Sequence, residues 1–387
     1  MLTAPTFAAA LVSGLRAHGH RPSGPEGRPW SAVADEARTL ALGLVEAGVV
    51  PGTAIAVRPG GATPAGVLAT EVAVLAAGAA LALDGAVADV TIDGDTVRGL
   101  GDDRPVATLR AAGADLGRRR PAAHEERLAA VEPGDVALVG DGTATTHAQA
   151  VWALRSVAAW VGPVVPDGPR AVLAPPAAGA TVAGALVGRW WPAAAGAALV
   201  VGADPVEAAR AARPDVVVGD AATWDALVDA VRAEAGRSRS GTGLLRRGRA
   251  VVAGEAATRV GRAGRGLAAR RAGDRLRAAA GLDALAVGIC LGPLAVATGR
   301  DLAAAGLPVV ATWIDPLVPA PVAAGPVARP TPSEPWGRPL PGRTVEVGPP
   351  AVVHGGDVAP GGVPTGPVVV DERGRVRLPR TAARVGA

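Results

Sequence analysis

Residues 138–156 read LVGDGTATTHAQAVWALRS. An apolar run ends at Gly140, and a polar Gly/Thr stretch leads into a helical pattern. Such a stretch can hold phosphate. Gly140 and Gly142 let a ligand approach the backbone, and Thr143, Thr145 and Thr146 offer hydroxyls. His147 opens the helix, where amide N–H groups and the helix dipole favour anions. Two features oppose that reading. Asp141 adds negative charge to the loop, and the 387 residues include no lysine to neutralise phosphate. The stretch is either a working cradle or the remnant of one.

Other candidate chemistry is sparse. No Walker loop is possible without lysine, and neither a GxGxxG fingerprint nor a GxSxG elbow occurs. The five histidines lack metal-ligand spacing, and His18 and His20 fit a solvated loop better than a chelate. His147 can contact an anion or simply help cap its helix. Cys290 ends an apolar strand and reads as a small buried hydrophobe. Arg237–Arg277 holds twelve arginines against Glu255 and Asp274, a local charge of +10. The remainder of this +4 chain is therefore −6. The segment suits a solvated amphipathic helix or peripheral contact with an anionic membrane. Nucleic acid is disfavoured, because no aromatics are interleaved for base stacking.

The elements that must position these residues follow from composition and periodicity. Hydrophobic residues make up 49% and charged residues 19%, which is globular composition for one large or two ordinary domains. A single cysteine excludes intramolecular disulfides and fits the cytoplasm. The N-terminus lacks the basic region of a signal peptide. The uncharged run Ala171–Gly188 contains Pro175-Pro176, and reads as strand, loop and helix rather than a membrane span.

From residue 30 onward, helical and strand patterns alternate. Val33, Ala37, Leu40, Ala41, Leu44 and Val45 share one helical face. Strands are expected at 53–57, 79–83, 136–139, 170–174, 197–201 and 214–220, then at 282–289 and 307–313. Helices are expected at 63–78 and near 146–160, 179–190, 205–212, 221–235 and 293–305. The fold class is therefore α/β, with layered, mostly parallel sheets flanked by helices. After Trp313 the chain turns Pro-rich, with short β candidates at 344–347, 351–353, 367–371 and 375–378. The expected organisation is a large α/β domain over 1–313, including the Arg-rich segment 237–277. Residues 314–387 would form a connection and a small β-rich lobe.

In this order the pieces resemble the AMP-binding adenylate-forming superfamily, especially the long-chain acyl-CoA synthetases. GRPWSAVADEARTLALGLVEAGVVPGTAIAV is similar to the family's opening helix and strand. LAAGAALALD is similar to its next strand, AAGLPVVATW to the strand before the adenylate motif, and WGRPLPGRTVEV to its GxPxPGxEVKI segment. VPTGPVVVDERGRVRLPRTAARV resembles the segment where the family's large domain meets its hinge. The resemblance implies the large N-terminal domain of these enzymes. It also implies a reaction in which a carboxylate is joined to ATP and then passed to a thiol.

The residues such chemistry needs depart from the family pattern. GDGTATTH stands where the family has TSGTTGxPKG and a following TH, so the middle is deleted and the lysine is gone. Trp313 keeps the aromatic of the adenylate motif, but Pro316 and Leu317 replace its Thr and Mg²⁺-binding Glu. Gly292 lies in the adenine-side segment, where Leu291 replaces a glycine. Pro367 replaces the ribose-binding Asp, and Arg380 matches the hinge-proximal arginine. The domain carrying the catalytic lysine is expected to be absent.

The residual nucleotide site by resemblance is Gly140, Asp141, Gly142, Thr143, Thr145, Thr146, His147, Gly292, Trp313 and Arg380. No catalytic residue or metal ligand is assigned, and ATP or AMP with Mg²⁺ is expected only if that site still functions. The leading expectation is a catalytically degenerate homologue that binds a partner or an acyl-type ligand, or regulates an active acyl-CoA synthetase paralogue. The alternative is a divergent fatty acid–CoA ligase completed by a separate C-terminal domain. The expected location is cytoplasmic, with peripheral membrane contact through the Arg-rich segment as a variant.

Overall fold

The computed structural model describes residues 3–83, 86–140, 143–179, 181–237, 239, 241–243, 245–246, 267–315, 318–324, 337–346, 350–358, 360–365, 369–370 and 376–377. Two helices open the chain, α1 (Phe7–Ala17) and α2 (Trp30–Glu46). The first sheet then begins with β1 (Ala54–Arg58), α3 (Pro64–Ala76) and β2 (Ala80–Ala82). It continues through β3 (Val90–Asp93), β4 (Thr96–Arg98) and β5 (Arg104–Pro105). Helices α4 (Val106–Arg119) and α5 (Ala123–Ala129) precede β6 (Val136–Gly140) and β7 (Thr143–Thr146). The strand order is β5-β4-β3-β1-β2-β6-β7, parallel in the centre and antiparallel at both margins.

Helix α6 (His147–Val161) leads to the second sheet. Its parallel strands are β8 (Ala171–Leu173), β9 (Ala198–Val200), β10 (Val216–Gly219), β11 (Val287–Leu291) and β12 (Val309–Trp313). Antiparallel β13 (Ala323–Ala324) and β14 (Arg338–Pro339) extend it, giving the order β14-β13-β12-β11-β10-β8-β9. Residues beyond 313 thus first return to the large body. They then form a small antiparallel sheet of β15 (Thr344–Glu346), β16 (Ala351–His354) and β17 (Val363–Thr365). A two-strand ribbon, β18 (Val369–Val370) and β19 (Val376–Arg377), follows.

Between β8 and β9 runs a helical segment of three parts: α7 (Val182–Ala185), a π-helical turn (Leu186–Trp190) and α8 (Trp191–Ala194). The Trp191 N–H bonds to the Leu186 carbonyl, five residues back. This shift precedes Pro192, which has no N–H for a regular ladder. The second sheet is flanked by α9 (Pro205–Ala212), α10 (Ala221–Gly236), α11 (Leu267–Ala279) and α12 (Val296–Ala304). Among the described residues, no helix is long and apolar enough to cross a membrane.

Burial explains the layering. Ala65 and every residue from Val67 to Ala76 are buried in α3, as expected of a helix packed on all sides. One core runs through both sheets and includes Phe7, Trp30, Leu68, Leu154 and Trp190. A second, with Trp224, Leu227, Leu276 and Leu302, lies under α10 to α12. A third holds the small lobe through Trp313, Val318, Val322, Ala351 and Val353.

Helices α2 and α4 touch backbone to backbone. A β-carbon on Gly113 would lie 1.8 Å from the Thr39 carbonyl oxygen, and one on Gly43 would lie 2.0 Å from the Leu109 oxygen. A side chain there forces the helices apart. Gly113→Ala is expected to destabilise the chain by about 1–3 kcal/mol, despite alanine's better helix propensity. Gly117→Ala meets only Leu42 Cδ1 at 3.4 Å, and should be neutral or stabilising by up to about 1 kcal/mol. Urea unfolding of the two variants checks the contrast.

Candidate functional site

The stretch that opened the sequence reading is a hairpin rather than an open loop. Gly140 pairs with Thr143, Val139 with Ala144 and Leu138 with Thr145, with a register shift before Val136 pairs with Thr146. Only residues 141 and 142 connect the strands. The Thr143 hydroxyl donates back to the Gly140 carbonyl at 3.0 Å, and Thr145 is buried. The expectation of a polar loop at 143–146 is therefore corrected. Its β-branched threonines pair in register with β6.

The first four amide groups of α6 all have partners within the protein. Thr146 N–H donates to Gln149 Oε1 at 2.8 Å, and Gln149 N–H donates to Thr146 Oγ1 at 3.3 Å, a reciprocal capping box. His147 N–H bonds to the Asp135 carbonyl at 2.9 Å, and Ala148 N–H to the Pro133 carbonyl at 2.8 Å. These are the donors that a helix N-terminus normally presents to an anion.

The His147 imidazole faces α1. It is fully buried, and its Nδ1 accepts the Ala8 N–H at 3.4 Å, within the first turn of α1. Nε2 is buried without a hydrogen-bond partner. Burial pushes the imidazole pKa down to about 4, so the ring is neutral at physiological pH. His147 thus ties α6 to α1.

The middle of α6 grips the C-terminal lobe. A β-carbon on Gly342, Gly355 or Gly356 would fall 2.7, 3.1 or 2.4 Å from the Trp152 ring. The Arg343 guanidinium lies over the same ring, 5.3 Å from its centre, and pairs with fully buried Asp357. Ser156 Oγ donates to the Pro341 carbonyl at 2.9 Å.

Of the remaining expected site residues, Gly292 and Trp313 lie at the ends of the paired strands β11 and β12. Gly292 follows β11 with φ +107° and bridges to Thr312. Trp313 is not an open stacking face. It is 5% exposed and packs into the small-lobe core. Asp141, Gly142, Pro316, Leu317, Gly366, Pro367 and Arg380 lie outside the described residues, as does most of the Arg-rich segment. Cys290 is buried with its thiol pushed up to about 12, so it carries no nucleophile at neutral pH. Among the described residues, no group of three acidic, His or Cys side chains could hold a metal.

The structure instead presents a cavity of about 430 Å³ between the two sheets. The chain winds away from β1 to β2 on one side and β3 on the other, and from β8 to β9 and β10 likewise. Ligand crevices in open α/β sheets form at such reversals, outside the carboxyl ends of the strands. Here Val57, Leu83, Ala174 and Val201 come from the carboxyl ends of β1, β2, β8 and β9. Gly140 abuts one lining residue, Leu83, which a β-carbon there would meet at 3.1 Å. The wall carries one charged pair: Glu71 Oε1 meets Arg189 Nη2 at 2.9 Å, and Glu71 Oε2 accepts from Trp190 Nε1 at 2.9 Å. Burial pushes the Glu71 carboxyl above its usual range, against the pull of Arg189. Sequence reading missed this pair. The available signal was Glu71 itself, the one charge in an otherwise apolar thirteen-residue helix.

No family model and no curated protein matches the sequence. Solved structures do match its fold. The N-terminal domain of FACL13 from Mycobacterium tuberculosis, in an inhibitor-bound crystal structure, aligns at 13% identity and a TM-score of 0.63, over 97% of this chain and 99% of that one. VinN, crystallised with L-aspartate, aligns at 16% identity and 0.63, over 97% and 98%. A benzoate CoA ligase from Burkholderia xenovorans LB400 aligns at 15% and 0.58, over 92% of this chain and 72% of the ligase.

His147 gives a test of this packing. An unfolded imidazole titrates near 6.5 and the buried one near 4, so between those values the unfolded chain binds the extra proton. Stability is then full above pH 6.5 and falls as pH drops toward 4, by about 3 kcal/mol from this residue. His147→Gln should be less stable at pH 7 and show a shallower loss on acidification. Urea unfolding at pH 7 and pH 4.5 measures the difference, in which other titrating groups cancel.

Proposed function

We propose that this chain, which has the fold of the large domain of the adenylate-forming enzymes, is a ligand-binding protein that does not activate carboxylates with ATP. One observation carries the reading: every leading amide of α6 is bonded within the protein. A phosphate approaching that helix meets no unpaired N–H, and the chain has no lysine to compensate. Opening the capping box and both carbonyl contacts would forfeit four hydrogen bonds, each worth about 1 kcal/mol net.

What the fold retains is an apolar cavity beside the altered hairpin. It is of ordinary size for a small-molecule site. A scaffold that keeps such a cavity without its phosphate site suits a carrier or sensor of an acyl-type ligand, or a regulator of an active relative.

Calorimetric titration of the purified chain with Mg–ATP should show no saturable binding, placing any Kd above about 1 mM, or weaker than about −4 kcal/mol. ATP–pyrophosphate exchange driven by a fatty or aromatic acid should be absent. Exchange by the chain alone would overturn the reading. Exchange that appears when a lysine-bearing C-terminal domain is added would establish a split ligase instead.

A further inference from the structure

The small lobe is held to the large body by few apolar groups. Its sheet has strands of only three, four and three residues, the short end of what a sheet can use. The core it shares with the body sets Ala351, Val353 and Val358 against Trp313, Val318 and Val322.

A charge pair sits inside that junction. The side chains of Arg343 and Asp357 are both 0% exposed. Nη2 of Arg343 donates to Asp357 Oδ2, and to the Ala320 carbonyl at 3.2 Å. The same Oδ2 accepts the Ala320 N–H at 3.3 Å. Ala320, in the connection from β12 to β13, is thus held from both sides. The Trp152 ring of α6 covers the guanidinium face.

The pair is only half satisfied. Among the described residues, Arg343 Nε, Arg343 Nη1 and Asp357 Oδ1 are buried without a hydrogen-bond partner. The Glu71–Arg189 pair differs, because there Trp190 takes the carboxylate's second oxygen. Burial pushes the Asp357 carboxyl above its usual range and the Arg343 guanidinium below its own, each against the pull of the other. A buried pair with unfilled donors and acceptors is costly to desolvate, and apolar residues of matching volume are often equally stable or more so. All three unpaired atoms would regain hydration if the lobe lifted. The pair therefore narrows the gap between the docked and lifted states.

A thin apolar attachment and a costly ion pair meet at one junction. We infer that the small lobe is a releasable cover on α6. It lifts as a unit while the two large sheets stay folded, and the Arg343–Asp357 pair sets how readily it lifts. The pivot is the turn at Pro341-Gly342, where Gly342 has φ +85°. Just before it, Leu340 N–H bonds to the Val322 carbonyl at 3.1 Å, which keeps β14 with the second sheet. Lifting bares the Trp152 indole, which glycines 342, 355 and 356 now cover. Openings of this kind are drawn from the least stable unit of a fold.

Native-state hydrogen exchange on the full chain, read by mass spectrometry, tests the device. Peptides covering β15–β17 should exchange roughly 100-fold faster than those covering β10–β12, or more. A common rate for lobe and body would overturn the inference. Replacing the pair by apolar residues of similar volume, Arg343→Met/Asp357→Leu, should slow exchange in the lobe by roughly 10-fold or more and leave the body unchanged. Asp357→Asn leaves the Arg343 charge buried and unpaired, and should speed exchange in the lobe alone by roughly 100-fold or more. Circular dichroism checks the fold of each variant. If the apolar variant does not fold, the unaltered chain and Asp357→Asn decide the matter. Lobe exchange that is not slowed in the folded apolar variant would overturn the role given to the pair. Asp357→Asn exchange that is unchanged, or that quickens in lobe and body together, would do the same.

Discussion

A helix holds an anion at its N-terminus only if its leading amides are unpaired. In α6 all four are paired, two in its own capping box and two with the carbonyls of Pro133 and Asp135. The same helix is engaged along its length. His147 accepts from α1, Trp152 is enclosed by the glycines of the C-terminal lobe, and Ser156 bonds to Pro341. Phosphate chemistry would ask α6 to expose its start, whereas packing in this chain asks it to join three parts of the molecule. Contacts among α1, α6, the β6–β7 hairpin and the small lobe follow from that second demand.

The cavity obeys the opposite logic. Where α6 is saturated, the facing carboxyl ends of the two sheets leave space, because each sheet reverses its winding there. The walls are small or branched aliphatic side chains and glycines, which pack without filling the gap. Burying the Glu71–Arg189 pair beside that gap is tolerable because the indole of Trp190 takes the carboxylate's second oxygen. Without it, one buried acceptor would lack a partner.

Local pattern revealed most of the large α/β body. Helix α9 was legible to the residue, since Asp204 caps it and Pro205 opens it. The parallel strands of the second sheet stood out as short aliphatic runs between Gly, Pro and Asp, whereas β13 and β14 lie in the Pro-rich stretch expected to be a connection. Helices α1, α4 and α5 were missed. In α4 only Val106, Leu109 and Gly113 are buried, too few to mark a strong apolar stripe. Strand β7 was missed because its Thr-Ala-Thr-Thr run sits among loop-forming residues and was read against a phosphate-loop template. The cavity pair was illegible for a different reason. Glu71 and Trp190 are 119 residues apart, and only the stacking of one sheet on the other brings them together.

The π-helical turn at Leu186–Trp190 carries a consequence for how this wall can vary. Such a turn is an α-helix with one residue inserted. Each residue advances an α-helix by about 100°, so removing one here would swing Arg189 and Trp190 off the cavity relative to the helix before them. The identity of neither residue would change. The polar spot in the chamber is therefore encoded by a length as much as by side chains. Relatives that differ by a single deletion between Val182 and Ala194 would share the fold and the composition of this wall while presenting a different lining.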